Sequence, residues 1–501
     1  MTSQSERNLA MDRRKRSQLI KDKKRRKRKK RVARKQKKEE LRSLLDWLLP
    51  DDSIFAKMKL HGNTKWVPKC LVCFALAWAF SESKCLTDAF VESKEFCQSI
   101  NKSFVFGTYQ GFMKALVKWT GTLMEILWPV LHQRMREIGG KYWRIGGWVP
   151  IAFDGSRSTT PRTVANEQAF CAKNYGQGKT AKYRKKKTKG MRRKRNEDSK
   201  PQQQVPQVWI TLMWHMGLQL PWMWRLGPSN SSERTHVMDM IETGEFPRNR
   251  LFCGDAGFIG FPLWSAIISS GGHFLVRVGA NVSLLRESAD YEIRKKGFVL
   301  CWPKDKQSKE LPLRLRLVKV RIGKTKVYLL TNVLNEKKLS YKMMVKFYKM
   351  RWGIEVEFRG LKQTLERAKL RCRNDERVLA ELNWSIIAMA VAKLFALKEQ
   401  LAKPRRNKDK QPFTPNKLSL ANIMRAIRGC IRKPNSIAKD GEDLATLLRK
   451  AVTDDYQRKT SKKARYRPPN PDKKPLGDPQ VRTMTRTEKK KLKKTQETLA
   501  A

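Results

Sequence analysis

Acid is what this chain has least of. Asp and Glu number 46 against 109 Lys and Arg, a formal charge of +63. Solubility needs no such excess, and a field of this sign selects a polyanionic partner, nucleic acid above all. Anionic membrane is the rival, but long apolar runs are also missing. The best, CLVCFALAWAF at Cys70–Phe80, is about half the ~20 residues that span a bilayer and reads as a buried helix. The N-terminus is polar and then basic, with no apolar leader core, so the expectation is an intracellular protein with no membrane partner. The nine Cys are scattered, and disulfides are out of place in a reducing compartment. Cys70 and Cys73 form the one CxxC, and no second pair or HxxxH follows to complete a zinc site. Both sit in an apolar helical pattern, where free Cys commonly packs. GQGKT at Gly176–Thr180 carries Lys173 where a phosphate-binding loop needs its earlier Gly. No apolar strand leads into it either, which excludes that loop.

What is present is enough for a folded chain: 501 residues, 40% of them apolar, which suits two to four domains. Residues 1–45 form a basic arm, expected to be disordered when free. Residues 46–140 carry apolar residues at three-to-four spacing and read as a helical domain. A DNA-binding module with a helix-turn-helix and a plain helical cap are both open readings. From Trp148 the pattern turns to strands. WVPIAFDGSRS reads as an apolar strand ending at Asp154, then a turn, and RLFCGDAGF as one ending at Asp255. Between them lie a long basic insert, Lys179–Lys200, and a hairpin around Gly217. SSERTHVMDMIETG has the Ser start signal of a helix. Residues 281–339 are β-rich, and Ser340 opens a long helix. Residues 141–400 read as one domain of strands and helices, and 401–501 forms a basic C-terminal region with one amphipathic helix. The tail from Ser461 reads as poorly ordered.

An Asp at the carboxyl end of an apolar strand can face a shared cleft in an α/β sheet, though either Asp alone is more simply a turn residue. The helix opened by Ser340 changes that balance. With Tyr348 at zero on a wheel of about 100° per residue, Arg351 falls near about −60°, Glu355 about −20° and Lys362 about −40°. Phe347, Ile354, Phe358 and Leu361 lie beside this stripe, and Glu357 points to the opposite side. One Glu among cationic and phenolic donors suits phosphate oxygens and a metal better than a solvated face does. Three carboxylates can hold hard, oxygen-seeking cations, and paired ions can activate a nucleophile and stabilise a leaving oxygen at a phosphodiester. Arg can bind phosphate oxygens through two parallel hydrogen bonds.

On these residues the chain resembles the DDE transposases, with their ribonuclease-H-like fold. Tyr348, Arg351, Glu355 and Lys362 match the YREK signature of insertion-sequence family four at every spacing. DAGF at Asp255–Phe258 matches its second motif, and FDGSR at Phe153–Arg157 resembles its looser first motif. The resemblance covers about 141–395. It implies an α/β fold: a mixed sheet flanked by helices, with a β-rich insertion at about 281–339 before the Glu helix. An N-terminal helical domain and basic tails complete the expected architecture. It implies Asp154, Asp255 and Glu355 as catalytic metal ligands for two Mg²⁺ ions, with Mn²⁺ as a substitute. It implies Tyr348, Arg351 and Lys362 as contacts to DNA near the cleaved phosphate. Trp352 follows the signature Arg and either stacks near a displaced base or is buried beside the site. The family also holds a flipped base with a Trp of its β insertion. Trp302 is the one Trp in 281–339, and whether it takes that role is open.

The activity implied is cut-and-paste transposition: metal-dependent hydrolysis at transposon ends, then strand transfer into target DNA. The partners implied are double-stranded DNA, as inverted-repeat ends and target, and a second copy in a synaptic homodimer. The expected location is the cytoplasm of a bacterium, on the nucleoid. A ribonuclease-H-like nuclease without strand transfer and a non-catalytic DNA-packaging protein are the alternatives.

Overall fold

A computed structural model describes residues 35–171, 205–286, 297–402, 414–431, 442–453 and 477–500, apart from single positions within them, and five isolated positions before residue 35. The expected arm before residue 35 and the Lys179–Lys200 insert lie outside the described residues, those isolated positions apart. The chain divides into two compact units, each built from two separate stretches.

The first unit comprises 1–134 and 383–453 and is helical. Its central helix, Pro68–Phe80, starts with Pro, whose fixed φ suits a first turn. It is buried on every face from Cys70 onward. Cys70 and Cys73 are part of that core, and burial pushes both thiols up to about 12. Phe74 packs against Phe112 at 4.8 Å and Trp66 at 5.1 Å between ring centroids. Part of the expected C-terminal region belongs here: the amphipathic helix Leu420–Ile431 buries Ile423, Met424, Ile427 and Cys430. Glu40 receives the backbone N–H of Leu444 at 2.6 Å, fastening the late segment to the early one.

The second unit comprises 135–382 and 454–501 and is built on one sheet. Its strands are β1 (Val149–Thr159), β2 (Gln207–His215), β3 (Leu220–Gly227), β4 (Arg250–Gly254), β5 (His273–Val278), β6 (Ser283–Arg286), β7 (Phe298–Cys301), β8 (Leu313–Ile322), β9 (Thr325–Thr331) and β10 (Gln480–Thr483). Their order is β10-β6-β7-β8-β9-β5-β4-β1-β2-β3. β1, β2 and β3 form an antiparallel meander, and β4 and β5 run parallel to β1. That 3-2-1-4-5 core, with helices Glu233–Thr243 and Phe261–Ser269 on the connections, is the ribonuclease-H-like mixed α/β fold expected from sequence. The β-rich segment is not a separate lobe. β9 pairs with β5, so β6–β9 lengthen the same sheet.

Three expectations need correction. β1 does not end at Asp154. Its apolar alternation stops there, but pairing with β2 continues to Thr159 opposite Gln207. The tail is ordered in its described part: β10 pairs with β6, and helix Arg486–Ala500 follows. Glu488, at the helix start, accepts two bonds from Arg482 (2.8 and 2.6 Å) and the Thr485 N–H (2.9 Å). A Lys-rich composition hid this, because one inward stripe with Leu492 and Thr495 is enough to dock the helix. Finally, helix Asp375–Leu401 is long and apolar enough to cross a bilayer, although no such stretch was expected. Its apolar window is 89% buried, as in a core helix.

Candidate active site

The sheet brings Asp154 and Asp255 to one level. β1 and β4 are parallel neighbours in the register Ile151 with Phe252 and Ala152 with Cys253. Two residues further along the chain stand Asp154, still in β1, and Asp255, the first residue after β4, just past the end of the β1–β4 pairing. Adjacent strands lie about 4.8 Å apart, so the two carboxylates share one edge of the sheet. Each is braced by backbone. Asp154 Oδ1 accepts the Gly155 N–H at 2.8 Å, and Asp255 Oδ1 accepts the Gly257 N–H at 2.7 Å. Beneath them Phe153 packs on Phe258, 4.4 Å between ring centroids.

The YREK segment is not one regular helix. Ser340 caps helix Tyr341–Arg351 as expected, its Oγ accepting the Met343 N–H. The helix then breaks at Trp352, restarts as Gly353–Arg359 and widens into a π turn at Gly360–Thr364. Gly353 has a steric reason: a Cβ there would overlap the Trp214 ring. A single wheel holds across the tightened turn at Trp352, so Arg351 and Glu355 share a face. Within the π turn, which spreads more residues over each turn, the angle drawn for Lys362 no longer applies. The face opposite Glu355 is packed, and Glu357 is buried in it.

Arg351 joins the two parts of the site. The residue is 4% exposed, with Nη1 3.9 Å from Asp154 Oδ2 and Nη2 3.9 Å from Glu355 Oε1. Nε and Nη1 make no hydrogen bond. Tyr348 places its ring 5.6 Å from the Arg351 guanidinium carbon. Lys362 is half-buried, and burial lowers its pKa. Trp352 is 60% exposed, which leaves its ring open to a stacking partner. Trp302 is the opposite case. It is buried with Leu285, Leu300 and Met484, and its indole N–H donates to the Glu310 carbonyl at 2.7 Å. Beyond Lys362 the chain is fastened by buried Glu381, which accepts the N–H groups of Arg371 (2.9 Å) and Cys372 (3.0 Å). Burial alone would raise the Glu381 pKa, but Arg367, Arg371 and these bonds hold it low.

Electrostatics show how closely the acids crowd. Asp154 is pushed up to about 6, mainly by burial, with Asp255 and Glu355 adding to it and the Gly155 N–H and Arg351 opposing. Sequence reasoning missed one member, Glu233. It sits at the start of helix Glu233–Thr243, capped by Ser232. Burial, then Asp154 and Asp255, push it up to about 7. Its only sequence signal, an acid in a first helical turn, equally fits a helix dipole.

Among the described residues no three His, Cys, Asp or Glu side chains converge at metal-holding distance. Bare carboxylates repel one another, and Arg351 lies between Asp154 and Glu355. The donor set nonetheless fits a hard cation. It is all carboxylate oxygen, each Asp keeps one oxygen beyond its backbone bond, and burial penalises the uncompensated charge.

These acids stand on the ribonuclease-H-like mixed sheet described above. Residues 150–391, which contain all three acids and the YREK segment, match the family described as Transposase DDE domain. A stretch of 159 residues is 26% identical to "Putative transposase y4zB" of Sinorhizobium fredii (strain NBRC 101917 / NGR234), covering 30% of this chain and 44% of that protein. The match thus spans less than half of that relative. Among solved structures, the piggyBac transposase synaptic complex with hairpin DNA aligns over 82% of this chain and 85% of its own, at 10% identity and a TM-score of 0.35. A likeness at that level adds nothing to the topology described above.

Proposed function

We propose that the protein is a cut-and-paste DNA transposase of the insertion-sequence family four type. The observation that carries this reading is the register of β1 and β4, which sets Asp154 beside Asp255 while Arg351 reaches both Asp154 and Glu355. Asp154, Asp255 and Glu355 would hold two Mg²⁺ ions, or Mn²⁺ in their place, supplying an activated water and charge neutralisation at the scissile phosphate. Arg351, buried and with two nitrogens free of hydrogen bonds, offers its planar fork to phosphate oxygens without paying to order a long side chain. Tyr348 and Lys362 bind phosphates beside it, and exposed Trp352 stacks on a base displaced at the cut.

The first step is hydrolysis at the transposon end, leaving a 3′-hydroxyl. Strand transfer of that hydroxyl into target DNA follows. Two copies act on paired ends, since each element has two. The basic arm 1–45, the helical region 46–140 and the basic region 401–501 hold flanking DNA, with 141–400 as the catalytic domain. The working compartment is a bacterial cytoplasm, on the nucleoid. The test is a duplex carrying the element's terminal repeats. Purified protein with Mg²⁺ should nick it to a 3′-hydroxyl and join a pre-cut end to plasmid. Nicking without joining would leave a nuclease, and neither would leave a DNA-binding protein.

A further inference from the structure

The last helix of the chain, Arg486–Ala500, has its two sides sorted by charge. With Glu488 at zero on a wheel of about 100° per residue, Leu492 falls near about 40° and Thr495 near about −20°. This is the docked side. Leu492 packs on the cluster of Leu285, Leu300, Trp302 and Met484, and Thr495 Oγ1 donates to the Gln307 carbonyl at 3.4 Å. Arg486, Lys490, Lys493 and Lys494 fall between about 140° and 240°, with Lys489 near about 100°. All five are exposed. Glu488, the one acid in the first three turns, is turned inward to Arg482 and Gln307.

A solvated helix face normally mixes charges of both signs. Here Arg486 and Lys490, Lys489 and Lys493, and Lys490 and Lys494 are like charges four residues apart, a spacing that weakens a helix. The fold offsets this with a capping box: Thr485 Oγ1 accepts the Glu488 N–H at 3.2 Å, and Glu488 Oε2 accepts the Thr485 N–H at 2.9 Å. Docked through Leu492 and preceded by β10 on β6, the helix fixes its cations to the same sheet that carries the acid site. Arg486 to Lys494 covers about 12 Å of helix axis, a length over which a duplex offers about seven phosphates. Lysine ammonium groups are point charges on flexible stems. On phosphates they position a duplex without reading it, so this face suits DNA of any sequence. In the activity proposed above, the ends carry fixed repeats, whereas target sites vary.

We propose that the outer face of helix Arg486–Ala500 receives target DNA, holding a duplex of any sequence by its phosphates. The proposal rests on the reading of the protein as a transposase. Its test uses the full-length protein with Lys489→Gln, Lys490→Gln, Lys493→Gln and Lys494→Gln combined, beside a variant with the same four lysines changed to Arg. In the four-Gln variant, the log–log salt slope for binding a random-sequence duplex should flatten by up to about 3.6. Joining of a pre-cut end to plasmid should fall about tenfold or more and recover as the plasmid concentration is raised. Nicking of a terminal-repeat duplex should keep its wild-type rate. The four-Arg variant, which keeps the charge, should join as the wild type does. If the four-Gln variant fails to fold, the pair Lys490→Gln and Lys494→Gln should flatten the slope by up to about 1.8. Wild-type joining and salt slope in a folded Gln variant would overturn the proposal and leave the transposase reading standing. Equal loss of end nicking and of joining would also overturn it, because the helix would then hold the ends. A wild-type protein that neither nicks nor joins would overturn the transposase reading, and the target role with it.

Discussion

Arg351 Nη1 stands 3.9 Å from Asp154 Oδ2, an ion pair too long to be a hydrogen bond. The same guanidinium is equally far from Glu355 Oε1. It is close enough to offset one of the two acid charges and far enough to leave their oxygens for another ligand. Arg351→Ala should therefore keep most affinity for end DNA, since many other cations remain, but cut and join about 10²–10³ times more slowly. Arg351→Lys should recover little, because a point charge cannot replace a two-donor plane. Single-turnover cleavage on saturating DNA, with circular dichroism as the fold control, measures both. Wild-type rates in Arg351→Ala would remove the residue from the chemistry.

The acids themselves should behave differently from the cations. Asp154→Ala, Asp255→Ala and Glu355→Ala should each lower nicking more than about 100-fold while end binding by gel shift stays near normal, since a carboxylate near phosphate helps only through a metal. Near-normal nicking by any one variant would strike that residue from the site.

Asp154 also predicts a pH dependence for the protein without metal. Its pKa is raised from 3.8 to about 6 on folding, so between these values the folded state binds more protons than the unfolded one. Stability then falls as pH rises through that window. Asp154→Asn removes the titrating group, so in chelator at pH 8 it should be more stable than wild type by up to about 3 kcal/mol, with the gap closing toward pH 4. Denaturant titrations at the two pH values measure it. An unchanged gap would mean the carboxylate is not desolvated.

The two tryptophans should separate cleanly. Trp302→Ala removes a buried ring and should cost about 3–5 kcal/mol of stability. Trp352→Ala should leave the denaturation midpoint unchanged but weaken binding of single-stranded or distorted end DNA by about 1–3 kcal/mol. The reverse pattern would exchange their roles.

Deleting residues 1–38 should lower affinity for any duplex and flatten the salt dependence, by about 0.9 in the log–log slope for each phosphate the arm neutralises. Cleavage by complexes already assembled should change little. An unaltered slope would show that the arm does not touch DNA.

Much of the catalytic unit was legible because its signals are local. An apolar run that reaches Asp255, alternating strands at 298–331 and Ser340 before a helix each follow from short-range chemistry. What escaped depends on tertiary neighbours. β1 runs past Asp154 because β2 offers partners as far as Gln207, which no pattern within β1 reveals. The glycine at 353 answers to Trp214, far away in sequence. Glu233 resembles any acid at a helix start until Gly155 is placed beneath it. β10 was hidden because four residues in a Lys-rich tail become a strand only when β6 is there to receive them.

The late strand has a consequence for biosynthesis. β10 is the outermost strand of a sheet whose first strand was translated more than three hundred residues earlier, and the helical unit likewise waits for 383–453. Domains usually fold in turn as a chain leaves the ribosome. Here neither unit can be finished in turn, and the edge of β6 stays unpaired until β10 has been translated. A message cut short before codon 477 would yield a polypeptide with every residue of the acid site and an open, pairing-competent sheet edge. Premature termination should thus produce sticky, chaperone-dependent protein rather than a smaller working enzyme.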